Sequence, residues 1–220
     1  SASIARPSVT WTSSDPMEAL RSLNDHLNDA VNVHYHASKR KKPDQSPYES
    51  MELSWASCTG LSILLVDACR AAGIPAILDG EIAPREILRS LAAEAGHIVF
   101  SERGLASMSG EPMDDALRGV VSRGAEVAAV TLGEHGVRWM EASEPSRVFE
   151  QKGFPIRAVD TLAAGDVFHG AYAVAVAERR SVADAMRFAC AAAAIKCTRT
   201  GGRNGAPSRE EVEVFLRSRA

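Results

Sequence analysis

The sequence predicts an α/β protein, a parallel sheet flanked by helices and preceded by a mainly helical N-terminal segment. Three observations carry this. From residue 76 onward, short apolar or β-branched runs alternate with longer stretches of helical periodicity, the pattern of a sheet covered on both faces. A small-residue turn, Ala163, Ala164, Gly165 and Asp166, feeds straight into an apolar helix. Residues 1–72, in contrast, hold one glycine, Gly60, and no alternating strand series. The expected organisation is therefore a helical segment over 1–72 and a larger α/β part over 73–220.

In the first part, Pro16–Asn28 reads as a helix with Leu20, Leu23 and Leu27 on one face and Ser14 or Asp15 as its cap. The basic run Lys39–Lys42 ends at Pro43 and reads as a solvated loop. Leu61–Ala72 is apolar enough for a buried helix. In the second part, strands are expected at Ala76–Leu78, His97–Phe100 and Val127–Leu132, with helices at Pro84–Ala95 and Pro112–Arg123 between them. Val137–Met140 and Arg147–Glu150 read as a short antiparallel pair at the sheet edge. Helices follow at Gly165–Glu178 and Val182–Cys197, the second opened by Ser181 with Asp184 in a capping-box arrangement. The alanine series from Ala189 to Ala194 implies close packing or a backbone-lined pocket. Ser208, Glu210 and Glu211 start the last helix, whose apolar stripe is Val212, Phe215 and Leu216.

The turn at Asp160–Asp166 is the strongest chemical signal. Amides at a helix N-terminus lack intrahelical acceptors and lie at the positive end of the macrodipole, so they can hold a phosphoryl group. Gly165 lets that backbone approach closely. Asp166 at the same end suits a base that accepts a proton from an attacking hydroxyl, and it equally suits a helix cap. Cys58, at the start of a buried run, is a candidate nucleophile or a small buried hydrophobe.

Composition excludes several classes. The 220 residues carry a formal charge of −3 and a pI near 6.1, which gives no electrostatic case for nucleic acid. The four cysteines, Cys58, Cys69, Cys190 and Cys197, show neither paired nor zinc-ligand spacing and read as reduced. There is no charged and apolar leader, and Leu61–Cys69 is too short to span a bilayer, so the cytoplasm is the expected location.

The run Asp160, Thr161, Leu162, Ala163, Ala164, Gly165, Asp166 resembles the anion-hole signature of the ribokinase-like (PfkB-type) carbohydrate kinases. Ala128–Gly136 is similar to the strand and turn with which that family meets ATP, and Lys196–Pro207 to its late nucleotide-pocket loop. The resemblance covers roughly residues 73–220. It implies transfer of phosphate from ATP to a sugar or related alcohol. Asp166 would then be the base, and the amides of Ala164, Gly165 and Asp166 the anion hole. Thr131, Gly133, Gly136 and Ala163 would line the nucleotide site. It further implies Mg2+ and, bound by Asp160 beside the anion hole, K+; a homodimer is also compatible with it. Where the family shows an asparagine and, three residues later, a glutamate that organise magnesium, this chain has Ser101 and Gly104, with Glu102 between. The family's glycine-glycine-asparagine sugar element and strand-built lid do not appear in residues 1–72. Weak ATP binding with impaired turnover is therefore expected.

Asp44–Ser50, Ser57–Leu61 and Cys69–Pro75 resemble the catalytic-cysteine segment of transglutaminase-like proteins, over about residues 15–76. That resemblance implies Cys58 as nucleophile in an acyl transferase or protease. The histidine and aspartate that such a site requires do not follow Pro75 in the family's pattern, and His97 is followed by a kinase-like strand instead. The chain thus reads as two joined half-domains, and the alternatives to a kinase are a transglutaminase-like cysteine acyl transferase or protease and a catalytically silent chimera.

Overall fold

The computed structural model describes residues 34–35, 55–56, 76–81, 85–86, 89, 92 and 95–219. The chain divides into two compact units, Ser1–Ala76 and Ile77–Ala220. In the first unit two short strands, β1 (His34–Tyr35) and β2 (Trp55–Ala56), pair in parallel. The helices expected at 16–28 and 61–72, the basic run at 39–42 and Cys58 lie outside the described residues.

The second unit is built on a five-stranded sheet. Its strands are β3 (Ile77–Gly80), β4 (His97–Ser101), β5 (Val127–Thr131), β6 (Val137–Glu141) and β7 (Phe149–Gln151), neighbours in that order. The pairs β3–β4 and β4–β5 are parallel, and β5–β6 and β6–β7 are antiparallel. The sheet is thus mixed, with the expected antiparallel pair at its edge. Helices α1 (Glu102–Met108) and α2 (Met113–Val121) follow β4, and α3 (Ala164–Ala177), α4 (Val182–Cys197) and α5 (Arg209–Arg217) close the chain. Residues 85, 86, 89 and 92 are helical, within the helix expected there. No described helix is long and apolar enough to cross a membrane.

Strands buried on both faces read as continuous apolar runs rather than as alternation. In β4 and β5, His97–Phe100 and Val127–Val130 are all buried. Ile98, Phe100, Ala128 and Val130 pack with Leu105, Leu117 and Val120 of α1 and α2. Val99, Val127 and Ala129 pack on the other side with Phe168, Tyr172 and Met186 of α3 and α4. Full burial of a side chain the size of Phe100 or Ile98 contributes about 1.5–3 kcal/mol, so these strands anchor the fold. A buried polar link crosses this layer: His97 Nδ1 lies 2.8 Å from the Tyr172 hydroxyl. Burial lowers the His97 pKa and raises that of Tyr172, so the bond joins two uncharged groups.

The helix caps differ from expectation in one respect. Ser181 Oγ accepts from the Asp184 amide, but the Asp184 carboxylate takes the Ser181 hydroxyl instead of closing a reciprocal box. The complete box is at Ser208 and Glu211, where each side chain accepts the other's backbone N–H. Arg199 also pairs with Glu211, and its hydrogen bond, ahead of the Ser208 amide, holds that carboxyl down at about 2. A carboxylate with a depressed folded pKa stabilises above its unfolded value and loses that contribution as the pH falls through the folded one. Glu211→Gln is therefore expected to lower the melting temperature at pH 7, with the difference from the parent closing as the pH falls from 4.5 towards about 2. Thermal scans across that range check it; a pH-independent difference would show that the cap contributes no charge-dependent stability.

Candidate functional site

Helix α3 opens on a strained residue. Ala163, at its N-cap, has φ 60° and ψ 19°, the left-handed region that costs an L-residue about 1–2 kcal/mol. The turn separates the amides that follow it. Ala164 N–H donates to Thr161 O at 3.1 Å and Val167 N–H to Ala163 O at 3.0 Å. Between them, the amides of Gly165 and Asp166 have no acceptor among the described residues. Two amides, not three, are therefore free at the positive end of this helix; the Ala164 amide is already bonded within the turn.

These residues border a cavity of about 690 Å3. It gathers Thr131, Gly133, Gly136, Ala164 and Gly165, all singled out in the sequence. Thr131 ends β5, and a 3₁₀ turn, Gly133–His135, leads to Gly136. Gly136 has φ 98°, and a Cβ there would overlap the Gln151 carbonyl, so only glycine lets this turn lie against the strand end of β7. A Cβ at Gly165 would meet nothing within 4 Å. Ala163 and Asp166 instead line a second cavity of about 490 Å3 with Val167, Arg209 and Val212. The exposed Asp166 carboxylate thus stands beside the two free amides and not among the lining of the larger cavity.

Sequence reading missed one wall of the larger cavity and offered a second only as an alternative to close packing. One is the connector Phe154–Pro155–Ile156; the other is a stripe of α4, Cys190, Ala193, Ala194 and Cys197. Their spacing of i, i+3, i+4, i+7 was the available signal. Burial pushes the Cys190 thiol up to about 12 and raises that of Cys197, so both behave as small hydrophobes. His169, one turn into α3, is a further residue that sequence reading passed over. Its Nδ1–H donates to Gly165 O at 2.8 Å, while Nε2 lies 3.2 Å from Val99 O and 3.3 Å from Asp79 Oδ1. It ties the entrance of α3 to β4 and β3. Burial raises the Asp79 pKa, opposed by His169 and supported by the neighbouring charges of Glu81 and Asp166.

Asp160 holds the turn that precedes α3. Its Oδ1 accepts from Leu162 N and its Oδ2 from Gly201 N, both at 2.8 Å, and these amides lower its pKa before any other cause. Its main-chain oxygen accepts from Lys196 Nζ at 2.8 Å, and that ammonium is 3.7 Å from Oδ2. Lys196 is fully buried. A monovalent cation at Asp160, as the resemblance implied, does not fit this arrangement. Both carboxylate oxygens already accept amides, the carbonyl accepts an ammonium, and a second unit charge about 4 Å from Nζ would be opposed by about 4 kcal/mol at an effective dielectric of 20.

Magnesium finds no ready-made site either. Among the described residues no group of three or more acids, histidines or cysteines is spaced to hold a metal ion. Ser101 caps α1, accepting from Gly104 N, and donates to Glu81. A Cβ at Gly104 would overlap the Gly80 carbonyl, so no side chain can project from that position while α1 packs against the end of β3. ATP, by contrast, fits what is present: a cavity of sufficient volume with unpaired amides on its rim.

A mixed α/β sheet with two unpaired helix-entrance amides beside a cavity that the end of β5 also lines is an arrangement able to hold an anion. The comparisons name the family. The profile described as pfkB family carbohydrate kinase matches residues 51–209, and the chain belongs to that family. It is 42% identical over 94 residues to a ribokinase of Haemophilus influenzae, covering 43% of this chain and 30% of that protein. It is 33% identical over 150 residues to a deoxyribokinase of Salmonella typhi, covering 66% of this chain and 48% of that protein. The chain thus spans less than half the length of these curated relatives. Among solved structures, a protein of Agrobacterium tumefaciens assigned to the ribokinases has a TM-score of 0.68 and 46% identity, over 72% of this chain and 52% of that one. Ribokinase of Thermotoga maritima has a TM-score of 0.61 and 33% identity, over 70% and 52%. The family match starts at residue 51 and takes in Cys58, and nothing in the comparisons supports a transglutaminase-like origin for residues 15–76.

The left-handed alanine yields a direct test. Ala163→Gly removes the strain at that position and is expected to raise stability by about 0.5–1 kcal/mol after the greater chain entropy of glycine is subtracted. Denaturant unfolding measures it, and a destabilised variant would mean that the alanine methyl packs more favourably than its backbone costs.

Proposed function

We propose that this chain transfers the γ-phosphoryl group of ATP to a hydroxyl of a sugar or related alcohol. The observation that carries the reading is the pair of free amides at Gly165 and Asp166, beside the 690 Å3 cavity that Gly165 lines, with the Asp166 carboxylate at the same helix entrance. ATP lies in that cavity, between the 131–136 turn, the Phe154–Ile156 connector and the small-residue stripe of α4. The two amides and the helix dipole stabilise charge on the transferring group. Asp166 accepts the proton of the attacking hydroxyl, and phosphoryl transfer relies on such positioning more than on covalent chemistry. Magnesium, when bound with the nucleotide, neutralises phosphate charge. The relatives support the sugar as acceptor, since they include ribokinases and a deoxyribokinase.

Two variants separate binding from chemistry. Gly165→Val fills space that meets no other atom, so it is expected to keep the parent's melting temperature while abolishing saturable ATP binding by calorimetry. Asp166→Asn is expected to retain ATP binding and lower kcat by roughly 10²–10⁴-fold, the contribution typical of a general base. Sugar-dependent ADP release across a panel of pentoses and hexoses provides the assay. Turnover that survives Asp166→Asn would overturn the assignment of the base.

A further inference from the structure

We infer that the Lys196 ammonium takes the place of a monovalent cation beside the anion hole, so that the turn before α3 carries its own fixed positive charge. The inference rests on the proposed reading of that turn as the phosphate cradle. Lys196 belongs to the last turn of α4, and its side chain is fully buried. A Cβ placed on Gly205 would come within 3.4 Å of Lys196 Cε, so the 201–205 loop closes over the stem and leaves it no room to swing outward. At the far end, Nζ donates to the Asp160 carbonyl and faces Asp160 Oδ2 at 3.7 Å. A carbonyl oxygen and a carboxylate are hard oxygen ligands of the kind that hold an alkali cation. An ammonium offers them the same unit charge on a point-like head.

The position has a consequence for the cradle. Val159 N–H and Asp160 N–H both donate to Cys197 O, the residue after the lysine, and Asp160 Oδ1 takes Leu162 N. Lys196 therefore fixes the segment that delivers Ala163 in its left-handed conformation and sets the Gly165 and Asp166 amides. It is a positioning residue, acting through Asp160. It also sets the Nζ group against the turn that leads into the anion hole, independent of which salt is in solution.

The test compares potassium with tetramethylammonium at matched ionic strength, reading both melting temperature and ATP affinity. The parent is expected to be indifferent to the exchange in both. Lys196→Ala removes stem and charge together and leaves the Asp160 oxygens with a space in front of them. It is expected to weaken ATP binding about tenfold or more in tetramethylammonium, as loss of a charge-assisted bond does, and to regain much of that, with a higher melting temperature, in potassium. A saturable gain by the parent in potassium would overturn the inference, and so would a folded Lys196→Ala that shows no preference for potassium. Should Lys196→Ala not fold, the parent's response alone decides. Failure of the parent to bind ATP in either salt would overturn the kinase reading, while the melting-temperature comparison would still decide the role of Lys196.

Discussion

The Asp160 residue joins three stretches of chain that the sheet alone leaves unconnected. Its two carboxylate oxygens take amides from Leu162 and Gly201, and its carbonyl takes the buried ammonium of Lys196 at the end of α4. The turn before α3, the end of α4 and the 201–205 loop thus meet at one residue. Strained backbone persists only where its surroundings over-determine it. Ala163, three residues on, is in the left-handed region, held between the Leu162 amide bonded to Asp160 and the first turn of α3. The free amides of Gly165 and Asp166 follow from that turn.

Topology decides where this turn comes to rest. Because β3, β4 and β5 are parallel, their C-terminal ends lie at one edge, and ligands of open α/β sheets bind outside such ends. His169 reads this placement directly, bonding Gly165 O with one nitrogen and facing Val99 O and Asp79 with the other. The antiparallel pair β6–β7 then folds the chain back so that Gly136 meets the end of β7, and the connector at 153–158 crosses the cavity mouth beside it. The parallel strands position the anion site, and the antiparallel edge closes the cavity.

Much of this was legible where the signal is local. β4 and β5 announce themselves because burial on both faces leaves a nearly continuous apolar run, α3 and α4 because small and apolar residues follow a turn or a cap, and α5 because its apolar residues recur at helical spacing. The Gly165–Asp166 turn is readable because glycine and acid at a helix entrance have a meaning that needs no partner. Helix α1 was not legible: it has seven residues, starts immediately after a strand, and is defined by the Ser101 cap and by Gly104 against Gly80. That second contact links positions 24 residues apart, so no window of sequence contains its cause. His169 was hidden for the same reason, since Val99 lies 70 residues away. Asp160 was read as a cation ligand on the strength of the family resemblance; its occupation by Lys196 depends on how α4 ends.

Helix α4 shows why core and site resist separate treatment. Ala185, Ala189 and Ala192 pack in the core, while Cys190, Ala193, Ala194 and Cys197 line the cavity. Protein interiors are close-packed, so space of this size persists only where side chains are withheld. Here the withheld side chains are on a helix whose core face also carries alanines among Met186, Phe188 and Ile195. A larger residue on the core face would displace α4 against α3, and one on the cavity face would fill the cavity directly. The run of alanines that the sequence offers as either packing or pocket is both: small residues bring α4 close to α3, and small residues on the next face keep open the volume beside the free amides. The size of the cavity is therefore set by small residues on one face of α4, and the approach of the two helices by small residues on the next.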